Sequence, residues 1–319
     1  MRKIRWAICG LGRIAERFLT VCNGIENCEV VAAASSDKRR AEEFAVRHNL
    51  KYAYTYDELY KSKEIEAVYV ATNMSVHCPN TLELLVNRIP VLCEKSFSLD
   101  DAQASKMITA AKDNDTLLME AMWTKFLPAT QKVIEIVKSG ELGKVKHING
   151  IFAGDMRNDP HCRIFKKELG GGSVLDVGVY LTAYVYFLLG TPQTIKASGI
   201  VGGGIDHECN FELTYDYGAK AELLSSVIRE YKANMEITCQ KGKITVNEFF
   251  IAKSIEVEYA DKTKKQHTFE DIDGFVYQIR HFNELLRTGK KQSPIQTFDD
   301  TYQVMKILTE ANRQMGVVL

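Results

Sequence analysis

From Ile4 to Ala15 the chain reads Ile-Arg-Trp-Ala-Ile-Cys-Gly-Leu-Gly-Arg-Ile-Ala, an apolar run that breaks at two glycines and resumes as an amphipathic segment. This is a G-x-G-x-x-A pattern, directly after a strand and at the mouth of a helix. In that setting Gly10 permits a tight turn and Gly12 lets the backbone approach a pyrophosphate. The third position needs only a small side chain, here Ala15. The helix that follows, with Arg13 and Ile14 in its first turn, offers free N–H groups and the positive end of a dipole to phosphate oxygens. A dinucleotide site is therefore expected. At the tip of the next strand, about 20 residues on, an NAD site would place a carboxylate on the ribose. That strand instead ends Ala34-Ser35-Ser36-Asp37-Lys38-Arg39-Arg40. Ser36, Arg39 and Arg40 suit a 2′-phosphate, so NADP is expected over NAD, which Asp37 keeps open. Ser36 or Asp37 also suits the cap of the helix behind it, and the two roles are compatible.

Such a turn needs a buried parallel sheet to hold it. Short apolar runs at Ile4–Cys9, Val30–Ala34, Ala67–Ala71, Val91–Cys93 and Leu117–Ala121 alternate with helical patterns near 13–23, 38–48, 76–87 and 100–113. Continuous apolar strands separated by helices signal a doubly wound α/β domain. After Pro128 the pattern changes. A helix at 129–138 leads to a strand at Val145–Ala153, then a loop and a helix over Ser173–Leu189. Strand-like stretches follow at Thr194–Val201, Cys209–Tyr215, Ala219–Val227, Asn234–Cys239, Lys243–Val246 and Ile251–Tyr259. Asp216-Tyr217-Gly218 and Gln240-Lys241-Gly242 serve as hairpin loops. Helices near 273–288 and 299–315 close the chain, the last capped by Asp299 or Asp300. The expected architecture is a dinucleotide-binding Rossmann domain over 1–123 and a substrate-binding and oligomerisation α+β domain over 124–319. The second domain is built on a large, mostly antiparallel open sheet, and its last helix is placed to pack back on the first domain.

Further motifs lie in order along the chain. Val70-Ala71-Thr72-Asn73-Met74-Ser75-Val76-His77 is similar to A-T-(P or N)-x-x-x-H, and Cys93-Glu94-Lys95-Ser96 to a strand-ending E-K-P. The run from Gly170 through Gly171, Gly172, Ser173, Asp176 and Gly178 to Tyr180 is similar to G-G-G-x-L-x-D-x-G-(V or I)-(Y or H). With the glycine turn these resemble the glucose-fructose oxidoreductase / inositol dehydrogenase / rhizopine-catabolism (Gfo/Idh/MocA) family. Glu120-Ala121-Met122-Trp123-Thr124-Lys125-Phe126 is similar to its dimeric dihydrodiol / D-xylose dehydrogenase branch. The resemblance implies an NAD(P)-dependent oxidoreductase moving a hydride between nicotinamide and a sugar, polyol or cyclic diol. It implies that Lys95, Asp176 and Tyr180 are catalytic and that Thr72, Asn73, His77, Glu94 and Trp123 line the cofactor site. Arg163 would stand near cofactor or substrate, and the assembly would be a homodimer or higher oligomer.

The chemistry can be argued on its own terms. Hydride transfer from a secondary alcohol also moves a proton, and its acceptor needs a pKa near the working pH. A tyrosine, ordinarily near 10, is too weakly acidic unless a cation sits close by. Lys95 ends a strand, where doubly wound folds place their ligand crevice. Asp176 and Tyr180 stand four apart and so share one face of a helix. Plainer roles exist: Tyr180 as a core aromatic beside Tyr184, Tyr186 and Phe187, Asp176 as a first-turn carboxylate matching the helix dipole. Whether Lys95 or Tyr180 takes the proton stays open. Ser96 stands where the family usually has proline, and a non-proline cis bond costs about 2.5–4 kcal/mol, so a trans Lys95–Ser96 bond is expected.

With 41 Lys and Arg against 41 Asp and Glu, no global field draws the chain to nucleic acid or an anionic membrane. No signal-peptide core or spanning run is read, and the eight scattered cysteines are expected as free thiols of a reducing cytoplasm. His161, Cys162 and His207 have no metal-ligand spacing, and no metal is expected. Two alternatives remain: a non-catalytic nucleotide-binding regulator, and a reductase of another carbonyl or imine. The joint presence of Lys95, Asp176 and Tyr180 argues against the regulator.

Overall fold

Buried apolar strands form where β-branched residues and alanine alternate with helices, and the first sheet of the computed structural model, which describes residues 2–159 and 162–319, follows that pattern. In chain order it contains β1 (Ile4–Cys9), α1 (Arg13–Asn23), β2 (Cys28–Ala34), α2 (Lys38–Arg47), β3 (Tyr52–Tyr54), α3 (Tyr56–Tyr60), β4 (Ala67–Val70), α4 (His77–Val86), β5 (Val91–Cys93), α5 (Asp101–Asp113) and β6 (Leu118–Glu120). All neighbours are parallel, in the order β3-β2-β1-β4-β5-β6. The register matters for function. Cys9 pairs with both Ala34 and Val70, Val70 with Cys93, and Cys93 with Glu120. The loops that begin at Gly10, Ser35, Ala71, Glu94 and Ala121 therefore leave one edge of the sheet at the same level. β3 and α3 were not expected from the sequence: β3 is three half-buried residues, though the Thr55–Glu58 capping box of α3 is a local signal.

After Pro128 come α6 (Pro128–Ser139), β7 (Val145–Ala153), a π-helical stretch at Val174–Gly178 continuing into α7 (Val179–Leu189), and seven strands: β8 (Thr194–Gly202), β9 (Ile205–Thr214), β10 (Lys220–Ser226), β11 (Tyr231–Cys239), β12 (Gly242–Asn247), β13 (Ser254–Tyr259) and β14 (Lys264–Thr268). They form an eight-stranded sheet in the order β14-β13-β12-β11-β7-β10-β9-β8. It is antiparallel except for the β7–β10 pair. Residues 216–218 and 240–241 turn the β9–β10 and β11–β12 hairpins. Phe249–Ile251 is a 3-10 turn, so β13 begins at Ser254 and not at Ile251 as the apolar run implied. α7 packs on β7 and β10, and α6 on β13. The helical stretch Lys167–Leu189 is long and apolar enough to cross a membrane, contrary to the expectation that no run approaches that length. Its apolar window is 78% buried inside the protein, which makes it a core helix.

The last helices are α8 (Phe275–Arg287) and α9 (Phe298–Gln314). Thr297 caps α9: its Oγ accepts from the Asp300 N–H at 3.0 Å, while Asp300 Oδ2 accepts from the Thr297 N–H and hydroxyl at 2.7 Å each. Asp300 thus reciprocates a cap that the sequence had placed on Asp299 or Asp300. The chain divides into two units: one of the stretch to Ser98 with Ala102–Trp123 and Asp273–Thr301, the other of Leu99–Asp101, Thr124–Ile272 and Tyr302–Leu319. A linear boundary at 123/124 leaves 273–301 with the second domain. Its contacts lie with the first unit instead: Asn283 Oδ1 accepts from the Trp6 indole at 3.1 Å, and α8 packs on α1.

Candidate active site

Gly10 adopts φ +93°, and a Cβ there would lie 2.7 Å from the backbone of Thr72, so only glycine lets these two loops meet. Gly12 differs. It is the extended residue before α1, no side chain caps the helix, and a Cβ on it would have nothing within 4 Å. An exposed, uncapped helix N-terminus beside empty space, with Ala15 fully buried beneath it, fits a pyrophosphate. The Thr72 hydroxyl is buried with no hydrogen-bond partner among the described residues, a polar atom left for a ligand to satisfy. Arg13 and Asn73 are exposed at the same edge, and Ile14 is half-buried.

At the tip of β2 the Asp37 carboxylate accepts from the Arg39 N–H at 2.9 Å and so caps α2. Lys38 is drawn away to the Ala53 carbonyl and Glu58. Ser36 stays exposed, as do Arg39 and Arg40; the Arg39 guanidinium is 3.7 Å from Glu43 with its side chain 80% exposed. Tyr56 at the start of α3 also stands here, beside the Ser36 backbone and Arg40, with burial pushing its phenol up to about 12. No motif marks Tyr56, because β3 and α3, at three and five residues, are too short to show a hydrophobic period.

Lys95 follows β5 and is half-buried. Glu94 beside it accepts from the Tyr69 phenol through Oε1 and from the Lys95 N–H through Oε2 at 3.2 Å. Tyr69 is itself fixed by stacking on Phe18, ring centroids 3.9 Å apart. The Lys95–Ser96 bond is cis, which overturns the trans expectation. That expectation weighed only the intrinsic preference of a serine amide. Here Ser96 is fully buried, and its carbonyl lies 3.0 Å from His77 Nδ1. The other ring nitrogen of His77 lies 3.1 Å from the Thr72 carbonyl, so this buried imidazole ties the loop after β4 to the loop after β5.

Trp123 is buried, edge-on to Phe275. Arg17 of α1 lies over both rings, 4.8 and 4.3 Å from their centroids, and both oxygens of Asp273 hold its guanidinium at 2.9 Å. Behind this edge Glu120 is fully enclosed, accepting from Gln296 and Thr301 at 3.0 and 2.9 Å. Burial raises its carboxyl to about 7.

The second unit carries the remaining residues. Asp176 Oδ1 accepts from Arg163 Nη2 at 2.8 Å. Tyr180, one turn further along, packs its ring 5.5 Å from Phe152, which stacks on Phe250 at 4.3 Å. A polar pair thus adjoins an aromatic wall; Phe152 and Phe250 are further candidates that no motif had marked. Cys162 is half-buried and free, like the other, buried cysteines. Among the described residues no cluster of His, Cys, Asp and Glu could hold a metal ion; His161 lies outside them. Gly10, Gly12, Arg13, Ile14, Ser36, Arg39, Arg40, Thr72, Asn73, His77, Glu94, Lys95 and Trp123 all belong to the first unit. Arg163, Asp176 and Tyr180 belong to the second.

Residues 4–122 match the family described as "Oxidoreductase family, NAD-binding Rossmann fold", and residues 130–245 match "GFO/IDH/MocA C-terminal domain". The trans-1,2-dihydrobenzene-1,2-diol dehydrogenase of Xenopus laevis is 32% identical over 98% of both chains. The scyllo-inositol 2-dehydrogenase (NADP(+)) IolU of Bacillus subtilis is 32% identical over 99% of this chain and 98% of its own. Among solved structures, an aldose-aldose oxidoreductase from Caulobacter crescentus complexed with glycerol superposes with a TM-score of 0.88 at 22% identity, over 98% of this chain and 97% of that one. The 3-ketoreductase KijD10 from Actinomadura kijaniata, in complex with NADP and TDP-benzene, gives 0.86 at 23% identity, over 98% of both chains.

Proposed function

The chain belongs to the GFO/IDH/MocA oxidoreductase family, and on that premise we propose that it moves a hydride between NADP and a CH–OH carbon of a cyclic diol, polyol or sugar. The observation that carries the substrate class is the Arg163–Asp176 pair one turn before Tyr180, whose ring lies against Phe152 and Phe250. Vicinal hydroxyls need a carboxylate and a donor to orient them, while the C–H face of a ring packs on aromatic carbon. The named substrates of the 32% identical relatives, an inositol and a dihydrodiol, have both features.

When bound, the nicotinamide accepts or supplies the hydride; the protein supplies the rest. The N–H groups that open α1 and the Thr72 hydroxyl bind the dinucleotide, and Gly12 leaves room for it. Ser36, Arg39 and Arg40 receive the 2′-phosphate, a reading supported by the engagement of Asp37 with its own helix. Lys95 and Tyr180 handle the alcohol proton, Asp176 orients the hydroxyl, and Arg163 orients Asp176. Glu94 holds the backbone at Lys95. The free thiols support a reducing, cytoplasmic setting. The face of the large sheet that bears Asn149, Ile151, Asn210, Glu212, Glu222 and Leu224 suits a homodimer contact.

Steady-state assays with NADP and with NAD across inositols, aldoses and cyclic diols test the reading. Turnover of at least one alcohol, with kcat/KM higher for NADP, is the expected result. Tight NADPH binding without turnover of any alcohol, carbonyl or imine would assign the chain to regulation, and preference for an imine would assign it to another reductase class.

A further inference from the structure

The helix that bears Asp176 and Tyr180 begins without a cap of its own. Its first stretch, Val174–Gly178, is π-helical, and the residue before it, Ser173, makes no capping bond to the turn it opens. The N–H groups of a helix's first turn have no partner within the helix and must find one elsewhere. Here the partner comes from another element. Asp206, fully buried near the start of β9, accepts from the Val174 N–H at 2.8 Å and from the Ser173 hydroxyl at 2.6 Å, both on Oδ2. The Ser173 hydroxyl also lies 3.0 Å from that of Ser225 on β10.

The glycine run fits the same arrangement. Gly172, at φ +114°, faces Asp206 so closely that a Cβ would lie 2.2 Å from its Oδ1. A Cβ on Gly171 would lie 2.3 Å from the Ile164 carbonyl, which accepts the Gly172 N–H at 2.8 Å. Ile164 follows Arg163, whose guanidinium holds Asp176. One carboxylate and two missing side chains thus fix the start of the helix against β9 and against the turn that carries Arg163.

We propose that Asp206 is a positioning residue for the reaction: it caps, from the neighbouring strand, the segment that presents Asp176 and Tyr180. This rests on those two residues acting on the substrate, as argued above. A neutral amide at the same place still accepts through its oxygen, whereas alanine leaves the Val174 N–H and the Ser173 hydroxyl without this acceptor.

The test compares Asp206→Ala, Asp206→Asn and Ser173→Ala in the full chain, with scyllo-inositol and a trans-cyclic diol as substrates. For Asp206→Ala we expect kcat to fall by about ten-fold or more, because small misplacement of reacting groups is costly. NADPH affinity, read by cofactor fluorescence, should stay within two-fold or so, since the dinucleotide site is unaltered. Asp206→Asn should recover most of kcat, and amide exchange over 173–180 should quicken in the alanine variant but not in the asparagine one. If Asp206→Ala does not fold, Ser173→Ala decides, with a smaller loss of kcat and faster exchange in the same segment. Wild-type kcat and exchange in a folded Asp206→Ala or in Ser173→Ala would overturn the proposal, as would an Asn variant no better than Ala. Tyr180→Phe with unchanged kcat would instead overturn the catalytic reading, while the exchange result would still judge the role of Asp206.

Discussion

At the scale of single residues, Gly10 and Gly12 have different surroundings, and substitution separates them. Alanine at position 10 would press a Cβ against the Thr72 backbone at 2.7 Å and hold φ +93°, so Gly10→Ala should cost about 1–3 kcal/mol of stability. Alanine at position 12 meets nothing within 4 Å, at an extended φ of −91°, so Gly12→Ala should leave stability within about 0.5 kcal/mol. It should nevertheless weaken NADPH binding, because the new methyl occupies the space left for the pyrophosphate. Urea unfolding and a fluorescence titration read the two effects; a destabilised Gly12→Ala with normal affinity would contradict the assignment. These glycines were legible in the sequence because they belong to one short local pattern, although backbone geometry requires only Gly10. Asp206 was not, since nothing local links it to Val174, thirty-two positions away. The Lys95–Ser96 bond was misread for the same reason: the intrinsic preference is local, while the burial of Ser96 and the His77 contact are not.

At the scale of elements, the short strand β6 ends on a carboxyl that should make stability depend on pH. Glu120 titrates near 7 in the folded protein and in the ordinary carboxylate range, 4.5, when exposed. The folded state therefore binds this proton more tightly, and the stabilisation it gives is complete below pH 4.5 and lost as pH rises to about 7. The slope from this one group cannot exceed about 1.4 kcal/mol per pH unit. Glu120→Gln should be less sensitive to pH between those limits and relatively more stable above neutrality, as read by denaturant melts at several pH values. An equal slope in both proteins would count against a proton on Glu120. Elements with strong periodicity, such as β1 and α1, were legible to within a residue. β14 was not, because Lys264-Lys265-Gln266-His267-Thr268 is an edge strand whose polar residues blunt pairing and hide the strand pattern. The π-helical stretch at Val174–Gly178 is not legible, since it and α7 are buried almost all round and carry no polar–apolar phase that a wider turn could shift.

At the scale of the whole molecule, the division into a parallel nucleotide-type unit and an antiparallel unit was legible from the change of pattern after Pro128. The return of 273–301 to the first unit was not, because contacts such as Trp6–Asn283 span 277 residues. The division also gives the proposed function its simplest test: on that reading the residues assigned to the dinucleotide, together with Lys95, belong to the first unit, while Arg163, Asp176 and Tyr180, assigned to the alcohol, belong to the second. Binding and turnover should therefore respond separately to substitution. The decisive measurement is NADP reduction by a panel of inositols and cyclic diols, run with the wild-type protein and with Lys95→Ala alongside NADPH titrations of both. The account predicts turnover by the wild type, a loss of about 100-fold or more in kcat for Lys95→Ala, and similar NADPH affinity in the two. Equal NADPH binding with no alcohol oxidised by either protein would contradict it.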